Sequence, residues 1–88
     1  MDYLVNKNGM QILVETDSVE MKKQIAKRYK EIRKEKHLSQ EQVALAAGMA
    51  RPDISRFESG RYNPSLELMV RYAHALECEL KIDIVPKD

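Results

Sequence analysis

Two histidines, one cysteine and a set of arginines and lysines are the residues of this 88-residue chain whose chemistry calls for a reading. Covalent catalysis needs a nucleophile with a base in hydrogen-bond reach. His37, His74 and Cys78 form no such local motif, and the two histidines lack a metal-ligand pattern, so both are expected as ordinary surface side chains. One cysteine excludes an internal disulfide and a cysteine-based zinc site, and suits a reduced, cytoplasmic setting. No glycine-rich phosphate loop occurs, because each of the three glycines has a turn to explain it. These absences point away from an enzyme and imply no cofactor and no metal. The cations remain. Arg51 and Arg56 lie in the segment GMARPDISRFESG, Gly48 to Gly60, with Ser55 between them. A guanidinium fork suits a phosphate or, bidentately, the edge of a guanine.

That segment reads as a glycine turn, a short helix and a closing glycine. Pro52 stands in the first helical turn, where a missing N–H costs little. Asp53 can complement the positive end of the helix dipole there. The helix is expected over about Arg51–Ser59. Before it, Ser39 caps a helix over QEQVALAAG that Gly48 ends. A longer first helix is expected from about Val19 to Lys36, with Met21, Ile25, Tyr29, Ile32 and Arg33 near one face, and with Asp17 and Glu20 as its start signal. A fourth helix, LELMVRYAHAL, follows a loop at RYNPS with Asn63 or Ser65 as cap, and sets Leu66, Met69, Val70, Ala73 and Leu76 on one stripe.

Both ends change period. YLVNK and MQILVE flank Asn8-Gly9, a pair favoured in two-residue hairpin turns. At the other end Cys78, Leu80, Ile82 and Ile84 alternate with Glu79, Lys81 and Asp83, the pattern of a half-buried strand. The expected organisation is an N-terminal hairpin or strand over 1–18, a helical domain over 19–77 and a C-terminal strand over 78–88. The fold class is mainly α, a bundle of about four helices with short β segments at both termini. The length suits one domain with a modest core. The formal net charge of +1 names no partner, but residues 21–36 carry eight Lys/Arg against two Glu, net +6. That run is either a solvated helix face or a surface that meets phosphates. No segment is apolar for long enough to span a membrane, and the first residues lack the pattern of a signal peptide.

Two short helices joined by a glycine turn can lay the second helix in the major groove of DNA. Ala44 is small where those helices approach, and Val43, Met49, Ile54 and Phe57 supply apolar contacts that set their angle. The string SQEQVALAAGMARPDISRFESGRYNPSLELMVRYAHAL resembles the Cro and phage-repressor type of helix-turn-helix, the xenobiotic-response-element family, over roughly Ile25–Leu76. The resemblance implies a Cro/repressor-like helix-turn-helix bundle that binds double-stranded DNA as a sequence-specific repressor. It implies a pairing of Arg33 with Glu58, either exposed and weak or buried and worth several kcal/mol. It places Gln40 on a phosphate at the front of the second helix, with Ser59, Arg61 and Tyr62 on the backbone after the third; Tyr62 alternatively packs over the loop. It places Arg51, Ser55 and Arg56 at base edges, with Ala50 and Pro52 approaching bases or sugars. Arg51 and Arg56 alternatively take phosphates. Asp53 reads as structural, with a cytosine contact as the lesser alternative. Relatives often have Ser or Thr where Ala50 stands, so this helix lacks a side-chain cap worth about 1 kcal/mol.

A plain phage repressor of this type usually continues with a fifth helix, whereas this chain turns to an apolar strand whose edge wants a partner. Leu80, Ile82 and Ile84 are its expected contact residues, to the N-terminal hairpin, to the twin in a homodimer on a palindromic operator, or to another protein. The ending is similar to that of HigA-like antitoxins, which bind a RelE/HigB-like toxin and repress their own operon. The alternatives are a standalone repressor or restriction–modification controller without a toxin, and a helix-turn-helix used only for protein contact.

Overall fold

A computed structural model describes the backbone of residues 8–86 and the side chains of residues 18–86. Four helices follow one another: α1 (Asn8–Glu35), α2 (Gln40–Ala47), α3 (Arg51–Glu58) and α4 (Leu66–Ala75). The last three lie within a residue of their expected bounds. The first is longer, because it begins at Asn8 rather than near Val19.

Asn8 and Gly9 therefore open a helix instead of turning a hairpin, and Asp17 lies inside it instead of capping it. The proposed first hairpin arm falls outside the described residues. The reason is an ambiguity of period. Met10, Ile12 and Val14 alternate as in a strand, but Met10, Leu13 and Val14 also stand at i, i+3 and i+4. The C-terminal segment forms no strand among the described residues either. A ladder needs a neighbouring strand, and the described residues present none there. Cys78 and Leu80 still pack against the core, while Ile82 and Ile84 are 65% and 89% exposed.

Helix ends account for much of the local order. Ser39 and Gln42 form a reciprocal capping box at the start of α2: Gln42 N–H donates to the Ser39 hydroxyl, and Ser39 N–H to the Gln42 side chain. At α4 it is Ser65, not Asn63, whose hydroxyl accepts from Leu68 N–H. Ala50 heads α3 with no side-chain cap, and Pro52 sits in its first turn. At their C-terminal ends, α1 and α4 both close with a left-handed residue that is not glycine, His37 at φ 57° and Glu77 at φ 59°. In each, the next N–H reaches back to the carbonyl five residues earlier, Leu38 to Arg33 and Cys78 to Ala73. Gly60 has two reasons to be glycine: its φ is 71°, and a Cβ there would meet the Lys23 Cα at 3.2 Å.

The core is small and aromatic. Tyr29, Phe57 and Tyr72 meet edge to face with centroids 4.8–5.5 Å apart, surrounded by Val43, Ala44, Ile54, Ala73 and Leu76. Such aromatic contacts add about 0.5–1.5 kcal/mol each beyond the area they bury. Ala26 joins the buried set where α1 passes under Gly60, whereas Met21 is exposed. On α4 the buried face is Tyr72, Ala73 and Leu76; Leu66 and Val70 of the expected stripe lie exposed. The helix is rotated to seat Tyr72, the largest fully buried side chain, in the centre of the core.

Candidate nucleic-acid interface

The inner side of α3 is held by a polar knot. The Glu58 carboxylate accepts from Arg33 Nε at 2.7 Å and Arg33 Nη2 at 3.0 Å, from Gln40 Nε2 at 3.0 Å and from the Tyr72 hydroxyl at 2.5 Å. Arg33 Nη1 donates onward to the Leu38 carbonyl at 2.8 Å. All four helices thus meet at one carboxylate. The Arg33 and Glu58 side chains are only 10% and 3% exposed, so this is the buried form of the pair. Burial raises the Glu58 pKa, but the hydrogen bonds from Arg33, Tyr72 and Gln40 outweigh it and hold the carboxyl below its ordinary range. The same hydrogen bond to Glu58 raises Arg33. Burial, and then the bond to Glu58, pushes the Tyr72 hydroxyl up. Tyr29, whose hydroxyl donates to the Met69 carbonyl at 2.8 Å, is pushed up to about 12, mainly by burial.

The outer side of α3 is open. Ile54 and Phe57 anchor the helix, and this turns Arg51, Pro52, Ser55 and Arg56 to the surface. Together with Ser59, Arg61 and Tyr62 they line a shallow hollow of about 350 Å³. Seven of the nine residues expected to touch nucleic acid therefore share one surface. Ala50, also exposed, heads α3 beside it. Gln40 is separate: one amide hydrogen goes to Glu58, leaving the second and the carbonyl oxygen at the front of α2.

Three details of the two sides of α3 escaped the linear reading. The Arg56 guanidinium lies 3.6 Å from the Asp53 carboxylate and 5.7 Å from the centre of the Tyr62 ring, so acid and aromatic hold it between them. The i, i+3 spacing of Asp53 and Arg56 was the available signal. The Ser59 hydroxyl donates to the Arg56 carbonyl at 2.6 Å and accepts from Arg61 N–H at 3.3 Å, so its single proton is engaged within the protein. Tyr72 and Gln40 join the Arg33–Glu58 pair from 14 and 18 residues away in sequence, a distance at which spacing carries no signal.

Chemically, the hollow offers three guanidinium groups, an amphipathic ring and two serine hydroxyls on α3 and the loop after it. That is a donor surface for phosphates and base edges. Among the described residues no group of three or more His, Cys, Asp or Glu side chains is placed to hold a metal ion. No helix among them is long and apolar enough to cross a membrane.

Comparisons with known proteins find relatives over the same stretch of chain. The chain is 43% identical over 53 residues to the ImmF control region 10 kDa protein of Bacillus phage phi105, a stretch covering 60% of this chain and 59% of that protein. It is 47% identical over 55 residues to an HTH-type transcriptional regulator of Methanothermobacter thermautotrophicus, covering 62% of this chain and 80% of that one. It is 39% identical over 51 residues to antitoxin HigA1 of Mycobacterium tuberculosis, covering 58% of this chain but 34% of the antitoxin. The chain thus spans less than two thirds of the phage and mycobacterial proteins. No solved structure matches it. The family described as helix-turn-helix matches residues 30–82, which take in the end of α1, all of α2, α3 and α4, and the following segment. With more than half of its length inside that match, the chain belongs to the helix-turn-helix family.

Proposed function

We propose that this chain is a sequence-specific DNA-binding transcriptional repressor. The observation that carries the reading is the outer face of α3 and the loop after it: Arg51, Ser55 and Arg56 on the helix share one surface with Arg61, and the helix is anchored from behind by Ile54, Phe57 and the Glu58 knot. In this reading Arg51, Ser55 and Arg56 meet base edges, with Ala50 and Pro52 against bases or sugars. Gln40, Arg61 and Tyr62 meet phosphates, and Ser59 contributes after its hydroxyl turns from the Arg56 carbonyl. Arg56, braced by Asp53 and Tyr62, has the more restricted reach of the two base-reading arginines. Relatives named as a transcriptional regulator, an immunity repressor and an antitoxin support the class.

The functional form is a homodimer on a palindromic operator, because two half-sites one helical turn apart double a small contact set. The C-terminal segment supports a partner contact. Leu80 is seated, but Ile82, Ile84 and Val85 stay exposed, and an extended apolar segment is satisfied by strand addition. Likeness to HigA1 supports the narrower reading of an antitoxin that represses its own operon and takes a toxin on that segment. Likeness to the phage immunity repressor supports a standalone repressor on the same DNA face. Footprinting of the purified chain on the DNA upstream of its own gene tests the repressor: protection of a palindrome that widens no further with excess protein is expected, and binding that ignores sequence overturns it. Co-expression with the adjacent reading frame tests the antitoxin. A frame that is toxic alone and co-purifies through residues 78–86 supports it, and a harmless frame that does not co-purify removes it.

A further inference from the structure

The positive charge of residues 21–36 is not spread round α1. Lys23, Lys27, Lys30 and Lys34 stand at i, i+4, i+7 and i+11, which puts them on one flank. All four are exposed, and among the described residues none takes an ion pair; the acid that pairs on this helix, Glu31, serves Arg28. The flank spans about 16 Å at 1.5 Å per residue.

Its position in the fold gives it a use. At one end Lys23 lies directly beneath Gly60, whose missing Cβ would stand 3.2 Å from the Lys23 Cα, and Gly60 sits between Ser59 and Arg61 in the lining of the α3 hollow. At the other end Lys34 follows Arg33, whose guanidinium holds the carboxylate that also holds Gln40. The stripe therefore begins under the loop after α3 and ends on the turn of α1 whose Arg33 shares the Glu58 carboxylate with Gln40. The opposite flank has a different neighbour: Arg28 and Ile32 line a hollow with Cys78, Leu80 and Lys81, under the C-terminal segment.

We propose that the Lys23–Lys27–Lys30–Lys34 flank is a second phosphate-binding surface, which engages the backbone of the same duplex beside the stretch that α3 reads. Its length covers roughly five base-pair rises of 3.4 Å along the duplex axis. The inference rests on the DNA-binding reading of α3, and the experiment keeps the two apart. Binding to a fluorescent 40-base-pair duplex of mixed sequence is measured across a salt series for the unaltered chain. The same series is run on a Lys27→Gln/Lys30→Gln/Lys34→Gln variant and on an Arg28→Gln/Lys36→Gln/Lys81→Gln variant. The second variant removes the same charge from positions outside the flank. Melting temperatures of all three establish that folded chains are compared; these side chains are exposed and lie outside the core.

The flank variant is expected to show a log–log salt slope shallower by about 2.7, three phosphates at 0.9 each, and roughly tenfold or weaker binding at moderate salt. The charge-matched variant is expected to keep most of the original slope, because net charge steers encounter without counting contacts. A Lys27→Arg/Lys30→Arg/Lys34→Arg variant should restore it. If the flank variant binds like the unaltered chain, or both triple variants lose equally, the inference fails while the DNA reading stands. If the unaltered chain binds no duplex at all, both fail.

Discussion

The inner and outer faces of α3 are eight residues built on opposite terms. On the inner face Ile54 and Phe57 are buried, and Glu58 has a partner for each oxygen, drawn from three other helices. Among the described residues, no buried side-chain nitrogen or oxygen lacks a hydrogen bond. On the outer face, among the described residues, the Arg51 and Ser55 side chains have no ion pair or hydrogen bond, and the Arg56 side chain has only an exposed pair and a ring. Exposed pairs of that kind are worth about 0–1 kcal/mol. The inner face holds the helix at an angle and spends its polar groups doing so. The outer face leaves its donors open. Stability and recognition should therefore separate under substitution, although they share one helix.

The largest test is Glu58→Ala. It strands Arg33 in a nearly closed site and should cost roughly 3–5 kcal/mol in urea unfolding, the usual range for removing one partner of a buried pair. Against a typical domain stability of about 5–15 kcal/mol that is a large share. A melting temperature close to that of the unaltered chain would erase the contrast between the faces. Acid probes the same carboxyl. Its folded pKa lies below the ordinary 4.5, so its contribution is complete above that value and drains away as pH falls through the folded one. Glu58→Gln should flatten that acid limb. Tyr29 and Tyr72 act at the other end, where raised values mean stability is lost as pH climbs above the ordinary 10.

Arg51→Ala is the matching test of the outer face. Its expected effect is about 1–3 kcal/mol of lost discrimination at one base pair, read by competition between operator variants. Unfolding should stay within about 0.5 kcal/mol of the unaltered chain, as for surface changes generally. An equal loss of stability would show that the outer face also holds the fold.

The two turn glycines sharpen the comparison at the edges of the helix. Gly48→Ala pays only for a left-handed backbone, about 1–2 kcal/mol, because a Cβ there meets nothing closer than 4.0 Å. Gly60→Ala adds the approach to Lys23 and should cost more in the same thermal scan. Equal losses would mean that α1 yields freely beneath the turn. The smallest expected effect is a gain. Ala50 has φ −84° and ψ 144°, suited to a cap, but no side chain to serve as one. Ala50→Ser should raise stability by about 1 kcal/mol. Any accompanying loss of DNA binding would show that the bare tip of α3 matters to the interface.

Legibility followed the range of the interactions. The cap at Ser39, the turn at Gly48 and the inward set Ile54 and Phe57 follow from signals within a few residues of one another, and a linear reading reaches them. The pairing of Arg33 with Glu58 came from family resemblance, not from spacing. The rotation of α4 that buries Tyr72 and exposes Leu66 and Val70 could not be read, since two apolar stripes lie on that helix and only a neighbour chooses between them. The helical course of residues 8–18 was hidden by an apolar run that satisfies both periods.

The amino-acid order alone determined the helix-turn-helix, because caps, turn residues and a 3.6-residue period act within a few positions of one another. Packing decided the rest. Four helices had to close on one carboxylate before Gln40 and Tyr72 could meet Arg33 and Glu58. Gly60 had to settle on α1 before Lys23 lay against the turn that follows α3. Those contacts join residues far apart in the chain, and a buried charge is stable only where every partner arrives together.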